Sequence, residues 1–194
     1  MVAAHNEKDG RQRILSAARS LFGSNGFHQT PMVDLASAAD VSVGQIYRLF
    51  KSKEEIIAAL VRDHADQWCN DMAQLRRRLD AGALSVERTF EEVLLYSIDE
   101  EEDGLAFDIM AEAFRNPAVG ETIGDMCARF REFIRYFACA ANERLTGDAL
   151  DAAEDLVLAC LFGLNHRSLS RPRIGTAQTA QRSARMIVAA LRLS

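Results

Sequence analysis

A chain of 194 residues, 48% apolar and 26% charged, can bury a sizeable core in one or two domains, which excludes a disordered polymer. Its longest apolar run, Leu156 to Leu164, has nine residues; a membrane span needs roughly 20, and the N-terminus lacks a leader's apolar core, so a cytoplasmic protein with no membrane partner is expected. The net charge of −5 argues against DNA binding as a sum, but its distribution does not: residues 1–62 hold eight Lys and Arg against six Asp and Glu, with all three lysines (Lys8, Lys51, Lys53), while the rest holds 15 against 22.

Three prolines, many alanines and leucines, and no alternation of β-branched residues point to an all-α fold of about nine helices. Ile14, Ala18, Leu21 and Phe22 recur at helical spacing, so a first helix is expected over about residues 10–25, with Asp9 as N-cap and Gly26 as stop. Thr30-Pro31 reads as an N-cap followed by proline at the first helical position, and Leu35, Ala36 and Ala39 give the second helix its inner face. Asp40-Val41-Ser42 forms a tight turn, because Ser42-x-x-Gln45 is a capping box that starts a short third helix at Val43. A second capping box, Ser52-x-x-Glu55, opens a long fourth helix over residues 53–79, which Ala81-Gly82-Ala83 breaks.

Further along, Ser85 starts a helix through Phe90, Leu94 and Ile98, followed by the acidic run Asp99 to Asp103, read as a solvated segment. Phe107, Met110 and Phe114 mark a shorter helix, Asn116-Pro117 a kink or turn, and residues 123–145 another long helix. Two more are expected over about 149–169 and 176–192. The cysteines Cys69, Cys127, Cys139 and Cys160 form no C-x-x-C pair and lie in apolar helical patterns, which favours reduced, buried thiols over zinc ligands; a redox role is the minority reading.

Two helices joined by a three-residue turn behind a supporting helix make a helix-turn-helix, whose second helix enters the major groove with its N-terminal residues. Ser42, Val43, Gly44 and Gln45 begin that helix. Gly44 admits close approach of a backbone or base edge, Ser42 turns a hydroxyl and helix amides towards an anion, and Tyr47 and Arg48 reach outward. Ile46, Leu49 and Phe50 anchor the helix, with Leu49 near the outward edge. On pattern alone, any short amphipathic helix between two others looks similar.

The segment TPMVDLASAADVSVGQIYRLFKSKEEIIAAL resembles the DNA-binding motif of TetR-type regulators, with Thr30, Leu35, Ala36, Ala39, Val41, Ser42, Gly44, Ile46, Tyr47, Phe50, Lys51, Ser52, Lys53 and Glu54 in register. Two positions depart from it. Asp40 stands where the family has glycine, a residue that tolerates left-handed backbone better than most. Leu49 stands where histidine or tyrosine is usual, which shifts readout to Arg48, able to hold guanine in a bidentate contact, and to Gln45. Gln45 has two open roles, base contact or capping partner of Ser42. The resemblance further implies phosphate contacts from Thr30, Tyr47, Lys51 and Lys53, fixing register and not sequence.

The resemblance divides the chain into a DNA-binding domain, residues 1–52, and an effector-binding and dimerisation domain, residues 53–194, linked by the helix over 53–79. It implies operator DNA, a second copy of the chain and a small-molecule effector as partners, and a repressor that releases its operator on binding the effector. The resemblance implies a homodimer formed through the last two helices, and the run LVLACLFGL, apolar on every side of its helix, must be covered on every side; Leu156, Cys160, Gly163, Leu164, Met186 and Ala190 are the residues assigned to that interface, a central core helix of a monomer being the alternative. Trp68, Met72, Phe90, Tyr96, Phe107, Met110, Phe114, Phe130, Phe133 and Phe137, with His166, are candidates to line an apolar effector pocket, although most such residues are core. His64 and Asn165 are further polar candidates.

No catalytic residue, metal site or cofactor is expected. Glu-x-x-His and His-x-x-x-His pairs are missing, as are a P-loop and G-x-S-x-G, so an enzyme lacks support. A helical interaction module without DNA binding would leave the lysine segregation unexplained.

Overall fold

The computed structural model of the chain describes residues 2–98 and 104–193; the acidic run Asp99 to Asp103 lies outside them. Among the described residues the chain forms nine α-helices and one 3-10 turn: α1 (Val2–Asn25), α2 (Met32–Ala38), α3 (Val43–Leu49), α4 (Lys53–Asp80), α5 (Val86–Ser97), α6 (Leu105–Arg115), α7 (Pro117–Ala141), α8 (Gly147–Asn165), the turn Arg167–Ser170 and α9 (Thr176–Leu193). None of these helices is long and apolar enough to cross a membrane.

Local chemistry explains most boundaries, and three differ from expectation. Helix α1 begins at Val2, so Asp9 is an interior residue and not an N-cap; it ends at Gly26, whose φ of 86° only glycine adopts without strain. Pro31, not Thr30, caps α2 with extended backbone, and Thr30 is turned inward. Helix α7 starts at Pro117, six residues before the expected position, because the Asn116 side chain accepts the Ala118 N–H at 3.0 Å and proline lacks the N–H that a first turn leaves unpaired.

The helices group into two compact units that do not follow chain order. One holds α1 to α3, α4 as far as His64, α6 and α7 as far as Met126; the other holds the later parts of α4 and α7 together with α5, α8 and α9. This grouping differs from a linear division at residue 52.

In the first unit Ile14, Leu15, Ala18 and Phe22 of α1 meet Leu35 and Ala36 of α2, Ile46 of α3 and Ile56, Ile57 and Leu60 of α4 in one apolar core. Phe22 and Phe27 pack edge to face with ring centroids 5.3 Å apart. Helix α6 joins this unit by a charge-assisted bond: Asp108 accepts the Phe27 N–H at 2.6 Å, fixing the loop after α1. At the corner between α6 and α7 a Cβ on Gly120 would lie 2.9 Å from the Ala113 carbonyl oxygen, so only glycine allows this approach.

In the second unit α5 packs on α9 and α8. Phe90, Val93 and Leu94 of α5, Val157 and Leu161 of α8, and Ala184, Ile187, Val188 and Leu191 of α9 are buried. Helix α7 is tied to α8 through Glu154, a buried carboxylate that accepts from Arg131 and, at 2.9 Å, from Arg135; those arginines also reach Asp155 and Asp151. The four cysteines are free and half-buried, less covered than expected, and burial pushes the thiols of Cys69, Cys127 and Cys160 up from their ordinary value.

Candidate nucleic-acid interface

The turn between α2 and α3 is a Schellman closure: the Asp40 N–H donates to Ser37 and the Val41 N–H to Ala36, at 3.2 and 3.0 Å. Asp40 takes the left-handed conformation, with φ of 51°. Arg13 of α1 reaches over to hold it, donating to its carbonyl at 3.1 Å and to its carboxylate at 3.2 Å. This clamp was not foreseen from the sequence; the aspartate in a glycine position was the available signal.

Ser42 then caps α3, its hydroxyl accepting the Gln45 N–H at 3.1 Å. With the helix so fixed, Ile46 and Phe50 are buried, whereas Gly44, Tyr47, Arg48 and Lys51 are exposed. Spaced by three and four residues, Gly44, Tyr47 and Arg48 form one outward stripe on α3, and Lys51 is exposed just beyond the helix end. Val43 is half-buried beside the exposed Ser42. A Cβ on Gly44 would meet only the Ser42 hydroxyl, at 3.9 Å, so nothing in the protein's own packing demands glycine there.

Three expected contacts are repositioned. Thr30 is 1% exposed, and its hydroxyl donates to the Gly26 carbonyl at 2.9 Å and more weakly to Leu21, so this side chain cannot reach a phosphate. Lys53 is also spent internally: its ammonium donates to the carbonyls of Phe27 (2.7 Å), Thr30 (2.9 Å) and His28 (3.4 Å), and sits 4.8 Å from the Phe27 ring centroid. All three N–H donors are aimed at the loop between α1 and α2, which they fasten to the start of α4. Burial pushes the amine below its usual 10.5, against the pull of Glu54. Gln45 is half-buried, with its amide against Gly10 of α1, and Leu49 packs towards the same glycine.

The second capping box forms in a shifted version. Ser52 accepts the Glu55 N–H at 3.3 Å, and the Glu55 carboxylate reaches past it to the Lys51 N–H at 2.5 Å.

The sequence model described as "Bacterial regulatory proteins, tetR family" matches residues 14–60, the segment that builds this capped and clamped helix-turn-helix. The helix-turn-helix segment is thus similar to that of the tetR-family regulators. The chain is similar to the HTH-type transcriptional regulator UidR of Escherichia coli strain K12, 32% identical over 127 residues, covering 64% of this chain and 62% of UidR; the match thus spans less than two thirds of that relative's length. The solved structure of Salmonella enterica GusR is 27% identical, with 95% of this chain and 92% of GusR covered and a TM-score of 0.66. The fold is also that of Bacillus subtilis FadR solved in complex with stearoyl-CoA, with a TM-score of 0.70 over 92% of this chain and 97% of FadR at 15% identity.

The aromatic residues assigned to an effector pocket do not behave as one group. Trp68, Met72, Phe90, Phe130 and Phe137 are buried in the second unit, with Phe133 half-buried beside them. Trp68 lies 3.9 Å from Phe130 and 6.0 Å from Phe133, and Phe90 lies 6.4 Å from Phe137, centroid to centroid. Tyr96 turns out to solvent at 54% exposure. Phe107, Met110 and Phe114 belong to α6 in the first unit, and Phe114 is 89% exposed, so helical periodicity mistook a surface residue for an inner one. His64 is exposed, and Asn165 and His166 are half-buried.

Within α8 the run Leu156 to Leu164 is apolar all round, yet its own chain buries only the side carrying Val157, Leu158 and Leu161. Leu156 is 49% exposed, Gly163 is exposed, and Cys160 and Leu164 are half-buried; on α9 Met186 is 72% exposed and Ala190 is exposed.

Proposed function

We propose that the chain is a ligand-responsive, DNA-binding transcriptional repressor that acts as a homodimer. The observation that carries this reading is the outward stripe Gly44, Tyr47 and Arg48, followed by the exposed Lys51, on a helix whose cap, turn and packing are all fixed from behind. A preorganised helix end of this kind suits the major groove: Arg48 is the side chain to hold a guanine edge, and Tyr47 and Lys51, with Ser42 at the cap, lie where phosphates pass. Lys53 and Thr30 hold the loop between α1 and α2 and do not touch DNA.

The uncovered apolar side of α8, with Leu156 and Gly163, and Met186 of α9 supports pairing with a second copy. Two copies would place two reading helices on half-sites one helical turn apart, about 34 Å. For the effector we propose a molecule with an apolar portion bound among Trp68, Phe130 and Phe133; FadR, of the same fold, was solved with stearoyl-CoA, whose acyl chain is such a portion. Helix α4 contributes to both units, and its displacement by the effector would alter the spacing of the reading helices. By linkage, operator would then weaken effector binding by the same factor.

A gel shift of the full chain against its own promoter region, titrated with salt, tests the DNA reading. Arg48→Ala should lose roughly 1–3 kcal/mol of discrimination between bases, and Lys51→Ala should lower the salt slope by about 0.9 for each phosphate released. Binding unchanged in both variants would overturn it.

A further inference from the structure

Helix α1 carries a buried glycine in its interior, Gly10, where alanine would favour the helix and no left-handed backbone calls for glycine. The surrounding space accounts for it. A Cβ on Gly10 would stand 3.0 Å from Gln45 Nε2 and 3.9 Å from Leu49 Cδ1. The first distance is tighter than nearly all real Cβ contacts, and the obstructing atom is the far end of a flexible side chain, not backbone. Thus α1 meets α3 through a notch one methyl group deep, and the Gln45 amide is seated in it.

Gln45 and Leu49 are four residues apart and line the side of α3 turned to α1, which flanks the stripe of Gly44, Tyr47 and Arg48. We propose that Gly10 is a specificity-determining residue: by omitting one methyl group it parks the Gln45 amide against α1 and keeps it out of the set of side chains that read bases. The proposal rests on the reading of α3 as the DNA-reading helix. A methyl group at residue 10 dislodges the amide, and a glutamine released beside the stripe carries the donor and acceptor that match an adenine edge. A helix that does not itself carry the readout stripe thereby sets which base is preferred.

The test enriches randomised duplexes, at one fixed salt concentration, on the full-length chain, on Gly10→Ala, on Gln45→Ala and on the double variant. Gly10→Ala is expected to unfold at the same temperature as the parent or higher, while preference at one base pair of each half-site changes by about fivefold or more, the low end for one bidentate contact. The change should vanish when Gln45 is alanine. Gln45→Ala alone should keep the parent preference, because the parked amide reads nothing. Parent preference in Gly10→Ala, the same change with and without Gln45, or an altered preference in Gln45→Ala would each overturn the proposal. A parent chain that enriches no sequence would instead overturn the DNA-reading function itself.

Discussion

Replacing Lys53 with methionine keeps an unbranched apolar stem over the Phe27 ring and removes a charge together with three donors. Two of the lost bonds, at 2.7 and 2.9 Å to the carbonyls of Phe27 and Thr30, are short and charge-assisted; the third, to His28 at 3.4 Å, is weak. Bonds to a charged group contribute about 1.5–3 kcal/mol each, and the cation over the ring about 0.5–1 kcal/mol. The desolvation that depresses the amine's pKa offsets part of this, and water can reach part of the loop, so the net loss is placed at about 2–3 kcal/mol. For a chain of this size that corresponds to a fall in Tm of about 5–10 °C. Circular dichroism during heating measures it. Salt titration of DNA binding, well below the new Tm, supplies the second readout. A lysine that touched phosphate would take about 0.9 from the slope of log affinity against log salt; the internal clamp predicts an unchanged slope. A lowered slope with an unchanged Tm would refute the argument and return Lys53 to the phosphate backbone.

At the α6–α7 corner, Gly120→Ala would drive a methyl group against the Ala113 carbonyl, a backbone atom that cannot swing aside, and should cost about 1–3 kcal/mol in chemical denaturation; an unchanged midpoint would mean that the corner yields. Glu54 has its carboxyl held below the ordinary 4.5, first by a hydrogen bond from the Ser52 hydroxyl and then by its own backbone N–H, with burial opposing and the charges of Lys53 and His28 assisting. Because the folded state favours the ionised form, this stability is fully present above pH 4.5 and is lost as pH falls through the depressed value. The stability difference between parent and Glu54→Gln should therefore shrink in acid, and a difference that stays constant from pH 6 to pH 3 would contradict this.

Helix positions, the serine caps at Ser42 and Ser52 and the helix-turn-helix itself were legible in the sequence, because hydrophobic period, cap chemistry and turn residues are local and each acts within a few residues. Those same local rules assigned Thr30 to an N-cap, began α1 eight residues late, and counted Phe114 as an inner residue. Whether Lys53 faces a phosphate or three carbonyls depends on where the loop after α1 lies, more than 20 residues away in sequence. Likewise, spacing within α3 leaves Gln45 between a base and a cap, and it cannot reveal that the amide lies against Gly10 of α1. The chain's local chemistry therefore determined which elements form and which residue types can meet DNA. Tertiary packing decided which of those side chains are free to do so, since a donor already satisfied by distant backbone is no longer available to a ligand.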